Sequence, residues 1–249
     1  MTAPRWLVER PIAHRGLHDA RAGRYENTVS AAEAAIAGGF GIECDVQISA
    51  DGEAMVFHDH TLDRLTGSSG PVCDRSSADL ARMAIGRTQD RIPTLLEFVD
   101  TIGDRTPLVV EIKSRFDGDE RLARRTVEVL GGRTDRVAVK SFDPMIIGLV
   151  RRIAPDLPRG IVGQSRYDGG DAAQLRADRL REMTDCLHWD ETRPDFISWR
   201  HADLPCAAAF LPRRLADVPV MTWTIRSPEE AERALPHADA IVFEGFVPA

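Results

Sequence analysis

The sequence predicts a (β/α)8 barrel, the TIM-barrel fold, with a small segment inserted after the second strand. Two observations carry this. Eight short apolar runs alternate with Ala/Arg/Leu-rich segments of helical spacing over 249 residues, the element count and length that such a barrel requires. In the runs that carry acidic residues, polar side chains fall on one face and apolar side chains on the other. An open doubly wound sheet is the structural competitor. With 43% apolar and 29% charged residues the composition is ordinary for a globular protein, and residues 1–249 are read as one domain.

The runs are 11–15, 41–48, 108–113, 136–142, 160–163, 195–199, 218–225 and 240–244. After the first, Val29, Ala32 and Ile36 share a helical face, Asn27 or Thr28 can cap its start, and Gly38-Gly39 ends it. The second run continues into an antiparallel return, because 48–57 reads as strand, Asp51-Gly52 turn, strand. A two-residue turn sets His58 opposite Asp45. Residues 60–93 are rich in Gly, Ser, Asp and Thr, with a weak helical pattern at Ala78–Ile85. They complete an insertion over about 48–93 above the barrel rim, since long loops in compact domains are usually functional. Ser227-Pro228-Glu229-Glu230 opens a late helix with Pro in its first turn.

The formal net charge of -7 argues against nucleic acid as the main partner but leaves room for a local anion site. No run of about 18 apolar residues exists, so no spanning helix is expected. Met1 to Arg10 lacks a basic-then-apolar pattern, so no secretory signal is read. The cysteines, Cys44, Cys73, Cys186 and Cys206, show no CxxC spacing, which removes a zinc knuckle or redox pair and makes reduced thiols in the cytoplasm the expectation. Only two of the 32 basic residues are lysines, Lys113 and Lys140. Nothing in the sequence sets an oligomeric state.

The strand faces point to chemistry. Glu43 and Asp45 point one way while Ile42, Cys44 and Val46 point the other; Glu111 and Lys113 likewise oppose Leu108, Val110 and Ile112. A barrel's outer face packs on helices, so the polar sets face the lumen near the C-terminal strand ends, where barrel active sites form. Three carboxylates converging there would push one another toward neutrality, and a divalent cation removes the conflict. All-oxygen ligation favours one Mg²⁺ or Ca²⁺, with Mn²⁺ also admitted, over zinc. The alternative is that these acids are exposed or paired with arginine. His14 ends the first strand and His58 the hairpin, so two histidines approach one rim and suit general base and general acid roles. Arg15 can fork onto an anionic oxygen and Lys113 can meet one as a point charge, or each can be a structural ion-pair partner. His18, His60, His188, His201 and His237 are read as structural.

At these residues the sequence resembles the glycerophosphodiester phosphodiesterase family. The matching pieces are IAHRG (12–16), ENT (26–28), GIECDVQISADGEAMVFHDHTLDRLTG (41–67), IPTLLEFV (92–99), VVEIKS (109–114), SFDP (141–144) and WTIRSPEEAERAL (223–235). The resemblance implies a (β/α)8 barrel and metal-dependent cleavage of small phosphodiesters. It implies His14 and His58 as the acid–base pair, Arg15 and Lys113 on phosphate, and Glu43, Asp45 and Glu111 as metal ligands. Trp223 matches a tryptophan near the alcohol part of the substrate, with core packing as its alternative, and Phe142 matches a rim aromatic. Glu26 matches a motif acid without an assigned role. Three positions depart from the family pattern: Tyr25 replaces a proline, Arg226 an amide, and 241–246 a Thr-Asp-x-Pro ending. These changes lie on the substrate side of the rim, so they bear on which alcohol is held more than on the chemistry.

The expected substrates are glycerophosphodiesters such as glycerophosphocholine or glycerophosphoethanolamine, cut to glycerol phosphate and an alcohol. Two rivals stand beside this. A lysophospholipase D-like enzyme of the same fold would show an exposed apolar lip on the insertion, and a non-catalytic metal- or anion-binding barrel would lack a ligand or histidine. An aldolase-type barrel would need Lys113 or Lys140 as a lumen nucleophile, which the surrounding carboxylates fit less well than phosphate chemistry. The fold alone does not choose among these.

Overall fold

The computed structural model describes residues 3–133, 135–167, 169 and 171–248, with the backbone alone for Asp171 and Ala173. Met1 and Thr2, at the head of the polar N-terminal stretch, lie outside the described residues. A single turn, Arg5–Leu7, precedes β1 (Ile12–Ala13). Then follow α1 (Val29–Ala37), β2 (Gly41–Ile48), β3 (Ala54–Val56) and the short α2 (Ser77–Leu80). Next come α3 (Leu95–Ile102), β4 (Leu108–Ile112), α4 (Arg121–Leu130), β5 (Val137–Ser141) and α5 (Pro144–Ile153). The chain ends through β6 (Arg159–Gly163), α6 (Ala177–Thr184), α7 (Trp189–Thr192), β7 (Phe196–Arg200), α8 (Ala207–Ala216), β8 (Val220–Ile225), α9 (Pro228–Ala234) and β9 (Ala240–Phe243).

Eight of these strands run parallel in the order β1-β2-β4-β5-β6-β7-β8-β9, and β9 pairs with β1, which closes the sheet. The expected (β/α)8 barrel is therefore the fold, and the open sheet is excluded. All eight sequence runs become strands. β3 is an antiparallel addition at the top of β2. It occupies the edge that β1 leaves free, since β1 pairs only with Gly41 and Ile42.

The hairpin register differs from expectation by one residue. Val46 pairs with Val56, Gln47 with Met55 and Ile48 with Ala54. The loop has three residues rather than two: Ser49 N donates to Glu53 O at 2.9 Å, and Gly52 takes a left-handed φ of 84° as the third loop residue. Phe57, not His58, therefore stands opposite Asp45, and its N–H donates to Asp45 O at 3.0 Å.

Strand parity sorts the faces as expected. Ile42, Cys44, Val46, Leu108, Val110 and Ile112 pack outward against helix residues such as Ala32, Phe98 and Leu122. The lumen floor is Ile12, Val109, Ala138, Phe196, Met221, Ala240 and Val242, with Leu7 packed on it. The inserted segment has its own small core of Met55, Phe57, Leu62, Leu65, Val72, Leu80, Ile85 and Ile92. Local capping follows the sequence: Thr28 Oγ1 accepts from Ala31 N at 3.2 Å, and Ser227 caps α9 with Pro228 in its first turn.

Candidate active site

Above the apolar floor, the lumen turns acidic. Glu43, Asp45 and Glu111 are buried, and one oxygen of each lies within 4.8 Å of the others. Burial alone would raise the Asp45 and Glu111 carboxyls. Lys113, His58, Arg15 and His14 hold Asp45 well below the usual carboxylate range instead. Lys113 and Lys140 offset both burial and the neighbouring Asp45 charge at Glu111, which falls to about 2.

The counter-charges are specific. Lys113 Nζ lies 2.7 Å from Asp45 and 2.5 Å from Glu111. Lys140 Nζ lies 3.0 Å from Glu43 Oε1 and 3.2 Å from Glu111. Arg15 Nε is 3.2 Å from Asp45, and its backbone N–H donates to Glu43 at 3.1 Å. Asn27 Nδ2 donates to Asp45 at 2.9 Å. The alternative reading of these acids as ion-paired is thus part of the geometry, but the partners are mostly lysines and the acids still converge.

The turn that carries His14 and Arg15 explains its glycine. Arg15 and Gly16 both take positive φ, and a Cβ on Gly16 would sit 2.8 Å from the Ala31 backbone. Arg15 is held in this costly conformation by its bond to Glu43 and by Asn27 N donating to Arg15 O at 2.9 Å.

His14 and His58 each have Nδ1 on a carboxylate. His14 Nδ1 lies 2.5 Å from Glu244 Oε2, and its Nε2 faces Glu43 at 4.0 Å. His58 Nδ1 lies 2.7 Å from Asp59 Oδ1. Burial lowers the His58 pKa, Asp45 opposes that, and the Lys113 and Arg15 charges lower it further, so the net shift is downward and the ring is neutral at pH 7. The register that was expected to bring Asp45 and His58 together is not the one observed. The strand ends at Val56, and the chain turns His58 inward from the bend beyond it.

Glu244 gathers more than His14. Arg226 Nη2 lies 2.7 Å from its other oxygen, and His18 Nε2 lies 3.6 Å away. His18, expected to be merely structural, therefore borders the site. His188 keeps the structural reading, buried with Nδ1 3.2 Å from Thr192 Oγ1.

Phe142 and Trp223 meet at the rim, with ring centroids 5.5 Å apart and near-perpendicular. Trp223 donates from Nε1 to Ser198 O at 2.9 Å and also packs on the lumen floor, so it is rim and core at once. A cavity of about 210 Å³ is bounded by Glu111, Lys113, Ser141, Phe142, Gln164 and Tyr167. A second, of about 120 Å³, shares Lys113, Ser114 and His60 with it.

Sequence reasoning missed Asn27 and Asp59 as members of the site and weighed Lys140 only as the nucleophile of a rival reading. Parity could have found Lys140, because it shares a strand face with the lumen residue Ala138. The donor set fits a hard divalent cation: three buried carboxylates, all oxygen, with one oxygen of each within 4.8 Å of the others.

The glycerophosphoryl diester phosphodiesterase family model matches residues 14–237. The chain is 36% identical over 165 residues to a glycerophosphodiester phosphodiesterase of Caldanaerobacter subterraneus subsp. tengcongensis, a match covering 61% of this chain and 66% of that relative, just under two thirds of its length. Its fold is similar to an Oleispira antarctica phosphodiesterase solved with the product sn-glycerol-3-phosphate, at 23% identity and a TM-score of 0.77, covering 97% of this chain and 94% of that one. It is also similar to the glycerophosphodiester phosphodiesterase of Thermotoga maritima, at 24% identity and a TM-score of 0.71, covering 93% and 92%. With the matched region running from His14 through the whole acidic cluster to β8 and α9, the chain belongs to the glycerophosphoryl diester phosphodiesterase family.

Proposed function

We propose that this protein hydrolyses glycerophosphodiesters, such as glycerophosphocholine or glycerophosphoethanolamine, to glycerol phosphate and an alcohol, with one bound divalent cation. The observation that carries the reading is the convergence of Glu43, Asp45 and Glu111 between two histidines that are each anchored through Nδ1. A cation held by the three carboxylates, Mg²⁺ or Ca²⁺ with Mn²⁺ admitted, would supply neutralisation of phosphate charge.

Lys113 and Arg15 are the cations assigned to phosphate. Lys113 lines both cavities, whereas the Lys140 side chain is only 3% exposed and acts as a fixed counter-ion. His58, neutral and with Nδ1 turned to Asp59, offers Nε2 as the base that takes a proton from the attacking oxygen. That oxygen belongs to water or to the substrate's own neighbouring hydroxyl. His14 donates a proton to the leaving alkoxide. Phe142 and Trp223 hold the organic half of the substrate against the rim.

The lysophospholipase D-like rival loses its supporting feature. Among the described residues, no large apolar side chain of the inserted segment is exposed, because they fill the insertion's own core. The test is a substrate panel assayed after EDTA treatment and after adding back Mg²⁺, Ca²⁺ or Mn²⁺. Glycerophosphodiesters should turn over only with metal restored. Undiminished turnover in EDTA would remove the metal from the reading, and no turnover on any member would remove the activity.

A further inference from the structure

Arg64 belongs to the inserted segment and has no part in the machinery described so far. Its backbone is fixed between Leu62 and Leu65, both packed in the insertion core. Its guanidinium is filled on two sides. Nε and Nη2 donate to Asp59 at 2.6 and 2.9 Å, and Nη1 and Nη2 donate to Glu26 at 2.8 and 2.7 Å. The same two carboxylates, through the oxygens that Arg64 Nη2 bonds, reach the reaction centre. Asp59 Oδ1 lies 2.7 Å from His58 Nδ1, and Glu26 Oε1 accepts from Arg15 Nη1 at 2.7 Å. An unbroken chain therefore runs from Arg15 through Glu26, Arg64 and Asp59 to His58.

We infer that Arg64 is a positioning residue that sets the His58 ring and the Arg15 guanidinium relative to one another across the mouth of the barrel. This rests on the phosphodiesterase reading above. The fork of an arginine is needed because its planar donors meet each of the two carboxylates with two hydrogen bonds in fixed directions, a geometry that a lysine ammonium cannot reproduce. Arg64 is not assigned to phosphate, since four of its five N–H donors are committed to Asp59 and Glu26. The inference gives Glu26 a role, as the carboxylate that transmits the geometry to Arg15, and it gives the insertion one, as the support that holds the clamp.

The test compares wild-type protein with R64Q and R64K on glycerophosphocholine at saturating Mg²⁺. The expected result is a fall in kcat of about tenfold to hundredfold for both, typical of lost outer-shell orientation, with KM changed by less than about threefold. Guanidinium chloride at low concentration should restore part of the R64Q rate and none of any Arg82→Ala rate, Arg82 being an exposed residue of the same insertion. If R64Q does not fold, Glu26→Gln, Asp59→Asn and their double variant replace it. Coupling through one clamp predicts that the double variant loses little more than the worse single variant. A kcat for R64Q within twofold of wild type, an R64Q loss that guanidinium leaves untouched, or fully additive losses in the replacement set would overturn the inference while leaving wild-type activity, and hence the functional reading, intact. Inactive wild-type protein would overturn both.

Discussion

His14 Nδ1 and Glu244 Oε2 lie 2.5 Å apart, so the last strand of the barrel orients a ring supplied by the first. Glu244 is in turn fixed by Arg226, and its carboxyl is held far below the usual range: burial would raise it, but the hydrogen bond with His14, the nearby His18 and the charge of Arg226 prevail. The expected effect of Glu244→Ala is a drop in kcat of about tenfold to hundredfold with KM little changed. Steady-state kinetics on glycerophosphocholine measures the split, and a rise in KM alone would assign Glu244 to substrate binding instead.

The acidic cluster is balanced by Lys113, Lys140 and Arg15 even with no cation bound. The protein should therefore fold in EDTA and gain stability when Mg²⁺ is added, by about 2.7 kcal/mol at a hundredfold excess over Kd. Thermal melting with and without Mg²⁺ gives the shift, and Glu111→Gln should reduce it sharply.

Lys140 is buried between Glu43 and Glu111, and both carboxylates raise its pKa above the ordinary lysine value against the effect of burial. Lys140→Met should destabilise the metal-free protein by about 3–5 kcal/mol, because it leaves buried negative charge unpaired. Denaturant unfolding in EDTA and in Mg²⁺ should show part of that loss restored by the ion. Equal losses in the two conditions would place Lys140 outside the cluster's charge balance.

His188 is buried and its pKa is pushed down to about 4, chiefly by burial, with Arg179 also lowering and Glu182 raising it. The unfolded chain then binds more protons than the folded one between about pH 6.5 and 4. The contribution of the neutral ring is complete above pH 6.5 and is lost as pH falls through that window, by roughly 3 kcal/mol in full. His188→Gln should flatten the stability profile between those pH values, as read from urea midpoints across pH.

The parts of the site legible in the sequence are those that a period of two exposes. Glu43, Asp45 and Glu111 sit in strands whose alternate residues are apolar, so their common face follows from parity, and so would that of Lys140. The hairpin register was not legible, because Asp51-Gly52 is compatible with a two-residue turn and with the last two residues of a three-residue loop. Only the left-handed φ of Gly52 beside a Ser49–Glu53 bond distinguishes them. The partners of the histidines were illegible for a different reason. Glu244 is 230 residues from His14 and meets it only through closure of the barrel. Arg64 reaches Glu26 across 38 residues, through the fold of an insertion whose helical pattern is too weak to place any side chain.

Diffraction from crystals soaked in Mn²⁺, recorded at the manganese edge, tests the central claim most directly. The account predicts one anomalous peak in bonding contact with carboxylate oxygens of Glu43, Asp45 and Glu111, with Lys113 drawn away from the pair it bridges. Manganese bound elsewhere, or the three carboxylates remaining occupied by Lys113 and Lys140 at full Mn²⁺ saturation, would contradict it.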